Sequence, residues 1–131
     1  MTPTAISNLS DHELAWEIDL KLGWKHLWRV ETPEGDRIRG LIPGSHERGL
    51  VPDWPRDPAA SAELMRTLTR RGAWISTTLT PVTVLCAIWG INGVQQGDVQ
   101  ISSQTTGTDP ILALCRAVAE AALAALTEGK T

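Results

Sequence analysis

The sequence predicts an α+β domain: a single layered α/β sandwich in which one mostly antiparallel sheet of about four or five strands carries three helices. Three observations predict it. Two long stretches with apolar residues at helical spacing open on Asp57-Pro58 and Asp109-Pro110, and an earlier one opens on Ser10-Asp11-His12-Glu13. Between them, at 26–42 and 74–104, lie β-branched and aromatic runs broken by turn signals. With 131 residues, 42% of them apolar, one domain over residues 1–131 is expected, its core spanning about 11–126.

Ser10 and Glu13 form a capping box, in which each side chain satisfies a free backbone N–H of the other residue. The helix it starts carries Leu14, Ala15, Ile18 and Leu22 on one face and stops at Gly23, giving a span of about Asp11 to Leu22. His26 to Glu31 and Arg37 to Ile42 form a hairpin across the turn 32–36. Pro43 to Gly49 holds two glycines and a proline and is expected to be a loop, the first candidate for mobility. Three prolines, at 52, 55 and 58, then fix the chain path into a helix over Pro58 to about Arg71. Its buried stripe is Ala60, Leu64, Met65 and Leu68. Strands follow at Trp74 to Thr80, Val82 to Ile91 and Gly97 to Gln104, the middle one apolar on both faces, with Asn92-Gly93 as a hairpin turn. The last helix runs from Pro110 to about Leu126. Its alanine-rich face suits close approach to the sheet or to a second copy.

A net charge of −3 and a pI near 5.5 argue against duplex DNA as a partner. The first ten residues lack the basic start and apolar run of a secretory signal, and no segment is expected to reach the ~18 apolar residues of a membrane span. The chain is expected in the cytosol, with no membrane partner. Cys86 and Cys115 lack metal-site spacing and sit in apolar patterns, so reduced core thiols are expected.

No catalytic motif stands out. His12, His26 and His46 do not pair at metal-ligand spacing, and no cofactor or metal is implied. Asp53 and Asp57 are four apart, but Asp57 has a sufficient task as a helix cap, and His46 sits on a loop poorly suited to hold an acid or base. Six tryptophans stand beside no tyrosine and no phenylalanine. Trp54 and Arg56 adjoin a helix N-terminus, and Trp24, Lys25, Trp28 and Arg29 interleave aromatic and basic groups. Indole faces and guanidinium forks are what an anionic, base-containing ligand would use, so these six residues are the candidate ligand-binding set. The competing reading packs Trp54 into the core and leaves Arg56 to solvent.

Leu22-Gly23-Trp24, the segment Val51 to Met65 and Ala113-Leu114-Cys115-Arg116-Ala117-Val118 together resemble the phage ABA-sandwich domain family over about residues 11–126. Pro58 departs from the pattern, a non-proline residue being usual there. The resemblance implies a phage origin and a layered α/β fold, and brings no catalytic residues. It makes the first expected function a non-catalytic anti-defence sponge in the host cytosol, a homo-oligomer joined through the last helix. Its ligand would be a nucleotide immune signal of the cyclic dinucleotide or cyclic ADP-ribose class. The alternatives are a protein-interaction module that inhibits a host protein, and a nucleotide hydrolase using His46 or the Asp53 and Asp57 pair.

Overall fold

A computed structural model describes residues 3–90 and 99–128. The chain runs α1 (Pro3–Ser7), α2 (Asp11–Leu22), β1 (Lys25–Thr32), β2 (Gly35–Leu41), β3 (Arg48–Leu50), α3 (Pro58–Arg70), β4 (Trp74–Leu79), β5 (Thr83–Trp89), β6 (Gln100–Thr105) and α4 (Pro110–Glu128). The α+β class and the antiparallel pairing hold, but the single sheet does not. The described strands form two three-stranded sheets, β1-β2-β3 and β4-β5-β6, and the described residues hold four helices rather than three. The division falls where the proline-rich segment and α3 interrupt the chain, so the strands after α3 start a new ladder. The expected Asn92-Gly93 turn lies outside the described residues, as do the adjoining ends of the two flanking strand assignments.

The helix caps form as their chemistry dictates. Glu13 N–H donates to Ser10 Oγ at 3.1 Å, Ser10 N–H donates to Glu13 Oε1 at 2.9 Å, and Gly23 closes α2 at φ 97°. Asp57 Oδ1 accepts from Ala59 N–H at 3.0 Å, with Pro58 in the first turn of α3. Asp109 Oδ1 accepts from Leu112 N–H at 3.1 Å at the start of α4. On α3 the buried residues are Ala60, Ser61, Leu64 and Leu68. Met65 is only partly buried against the core.

Two short elements escaped the sequence reading. Helix α1 has five residues, too few for a periodic signal, yet Ile6 is buried in the core. Strand β3 overlaps the expected loop. Arg39, Gly40 and Leu41 of β2 pair with Leu50, Gly49 and Arg48, so the end of the glycine-rich stretch belongs to the first sheet. Gly40 lets the chains approach closely: a Cβ there would stand 2.7 Å from Leu27 Cδ2 and 3.1 Å from the Lys25 carbonyl oxygen, so the Leu27 side chain would have to shift. That close approach sits beside the irregular register between Lys25 and Trp28, where His26 takes a φ of 54°.

Helix α4 is the centre of the molecule. It packs on β4, β5 and β6 on one side and on α1, α2 and α3 elsewhere, while α2 also meets β2 of the first sheet. Ala117, Val118, Ala119, Ala121, Ala122, Leu123, Ala125 and Leu126 are all buried, which is the pattern of a helix enclosed on every side. Its alanines let the sheet and three helices approach one axis, so the alanine-rich face is covered within the chain. An 18-residue window, Pro110–Thr127, does reach the length and hydropathy of a membrane span, contrary to expectation. Alanine supplies that hydropathy, and in this fold the helix is a core element.

Candidate interaction surface

The six sequence candidates do not assemble into one site. Trp54 is 4% exposed, and its Nε1–H donates to Asp19 Oδ1 at 2.7 Å. Arg56 Nε donates to Asp53 Oδ2 at 2.9 Å, so the loop before α3 closes on its own charges. Trp24 packs partly buried against the core, and Lys25 is exposed at the start of β1. Arg29 faces Asp36 at 3.4 Å in solvent. Trp28 is exposed and has the Arg48 guanidinium carbon 5.5 Å from its ring centre. Strand register puts Arg39 directly opposite Trp28. Arg56 borders a gap of about 10 Å³, room for a single water, whereas Lys25 and His46 line a separate cleft of about 290 Å³.

The loop aspartates are both engaged, Asp53 with Arg56 and Asp57 as the cap of α3. Among the described residues no three His, Cys, Asp or Glu side chains cluster as a metal site. Burial pushes the Cys86 thiol up to about 12 and raises that of Cys115, which removes thiolate character from both.

Two buried polar clusters were missed in the sequence. The first is Asp19, fully enclosed on the apolar face of α2, one helical turn from Ala15 and beside Ile18. Among the described residues its Oδ2 has no hydrogen-bond partner. Desolvation pushes its carboxyl up to about 8, against the pull of the Trp54 N–H. The folded protein therefore holds a proton that the unfolded chain releases above about pH 4. Its contribution is present in full below that value and is lost as pH rises through about 8, with a slope of at most ~1.4 kcal/mol per pH unit. Urea unfolding between pH 5 and 8 should show the wild type weakening relative to Asp19→Asn. A constant difference across that range would contradict the assignment.

The second cluster centres on Arg116. Its guanidinium donates to Asp11 Oδ1 at 2.8 Å, to Glu120 Oε2 at 2.6 Å and to the Leu9 carbonyl oxygen. Glu120, 6% exposed, also accepts from Ser102 Oγ at 3.1 Å and Gln104 Nε2 at 2.8 Å. One network thus ties α4 to the α1–α2 connection, to α2 and to β6. Every charge in it has a partner, so it reads as a joint rather than as a binding site.

The open feature is the outer face of the second sheet. Inner-face Val84, Cys86 and Ile88 are buried, so their neighbours Leu85, Ala87 and Trp89 point away from α4. Register adds Trp74, Ser76 and Thr78 from β4 and Ile101, Ser103 and Thr105 from β6. Trp74 and Trp89 stack at 6.5 Å and 13°, and Trp74 is 68% and Ile101 63% exposed. No Asp, Glu, Lys or Arg occurs in β4, β5 or β6. Neither family models, nor curated proteins, nor solved structures match this chain. Function therefore rests on what this surface and these buried groups can do.

Proposed function

We propose that the chain is a non-catalytic interaction module whose working surface is the outer face of the second sheet. One observation carries this reading: a stacked tryptophan pair and exposed Leu85 and Ile101 share a face without a single charged side chain. Contiguous apolar surface of that kind marks contact with another protein, and tryptophan dominates such contacts energetically. Taken with the resemblance to phage ABA-sandwich proteins, the partner is a host protein in the cytosol, which the module occupies. Pull-down from host lysate should recover one stoichiometric protein with the wild type and none with Ile101→Lys. Ile101 is exposed on a strand, so the lysine leaves folding intact. Equal recovery with both would reject the face.

The nucleotide-sponge reading keeps one supporting observation, the Arg48 guanidinium over Trp28 with Arg39 alongside on the outer face of the first sheet. An indole flanked by two cations suits a phosphate-bearing base. Calorimetry with cyclic dinucleotides and cyclic ADP-ribose derivatives tests it. Heat that disappears in Trp28→Ala supports the reading, and no heat with any of them rejects it.

A further inference from the structure

The two sheets treat their edges in opposite ways. In the first, edge strand β1 carries Lys25, His26, Arg29 and Glu31, and edge strand β3 carries Arg48. Charges along an open edge deter another strand from pairing, because pairing would strip them of water without a counter-charge. In the second sheet, edge strand β4 reads Trp-Ile-Ser-Thr-Thr-Leu, with no charge, no proline and no glycine. All of its residues except Ile75 are exposed, so both faces of the strand are open. Leu79, at 58%, projects on the inner side beyond the cover of α4, and Val82 in the following turn is 68% exposed. The opposite edge, β6, is not equivalent: Gln100 to Ser103 line a cleft of about 440 Å³ beside Ile6 and Ser7 of α1.

A strand bearing charges would lose their hydration against β4 and gain nothing in return. The chemistry that matches is an equally uncharged strand of hydroxyl, β-branched and aromatic residues, and the molecule carries that strand as β4 itself. We propose that β4 pairs antiparallel with β4 of a second copy, joining the two sheets into one of six strands. A two-fold axis perpendicular to the sheet keeps both outer faces on the same side, so paired residues must share a face. With Ser76 opposite its own counterpart, Trp74 faces Thr78 and Ile75 faces Thr77. This pairing uses the strand edge and needs no host protein, so it stands or falls independently of the partner-binding reading.

Light scattering on the eluting full chain should give twice the 14.2 kDa mass of one chain. Thr78→Lys, on the exposed edge, should halve that mass while leaving the circular dichroism spectrum unchanged. A wild type with the mass of one chain, or a dimer that persists in Thr78→Lys, overturns the pairing. A second measurement avoids dependence on the lysine. Residues opposite one another across an antiparallel ladder have Cα atoms roughly 4.5–5.5 Å apart, within disulfide reach. Ser76→Cys treated with diamide should therefore cross-link to a covalent dimer, and Ser103→Cys on β6 should not. Equal cross-linking of the two, or none in Ser76→Cys, also overturns it.

Discussion

Replacing Arg116 with alanine is expected to lower the unfolding free energy by about 3–5 kcal/mol. The magnitude follows from what the guanidinium leaves behind. Glu120 is 6% exposed and would be left with only Ser102 Oγ and Gln104 Nε2 as partners, while Asp11 and the Leu9 carbonyl lose their donor. Arg116→Ala/Glu120→Ala should recover part of the loss, because the buried carboxylate goes with its counter-ion. Chemical denaturation of the three variants measures both effects. An Arg116→Ala cost below about 1 kcal/mol would mean that the network is solvated and acts like an ordinary surface pair.

Trp54→Ala is expected to cost a comparable ~3–5 kcal/mol for a different reason. The indole is the large side chain of the proline-rich segment that reaches the core, and among the described residues its N–H is the donor to the enclosed Asp19 carboxyl. Truncation leaves a cavity and also an unpartnered polar group. Trp54→Phe separates the two, keeping most of the volume and removing the N–H, and should cost about 1–3 kcal/mol. Both variants should leave the outer face of the second sheet intact. Loss of partner recovery beyond the fraction unfolded would place Trp54 in the binding surface instead.

Local signals carried most of the fold. Capping at Ser10, Asp57 and Asp109 located three helices within a residue or two, because caps are chemistry within one turn of chain. The hairpin of β1 and β2 was equally local. Sheet membership was not, since nothing in the alternation of β4 to β6 says that they pair apart from β1 to β3. The three-residue β3 is held by its neighbour rather than by its composition. Among the site candidates, Trp28 is exposed as the ligand reading requires, but its partners Arg48 and Arg39 come from other strands, and only register brings them there. Trp54 followed the competing reading, because the acceptor that fixes it lies 35 residues away. Asp19 offered one usable hint, a carboxylate on the apolar face of a helix, beside Ile18 and one turn from Ala15.

The central place of α4 has a consequence for how the protein is made. Every element that α4 covers precedes it in the chain, so the ribosome delivers β4, β5, β6 and helices α1, α2 and α3 before the helix they enclose. Until that helix emerges, the inner row of Val84, Cys86 and Ile88 has no cover, and neither does the matching side of α2 and α3. The core of this domain therefore cannot close until α4 has emerged, and until then that apolar surface stays exposed.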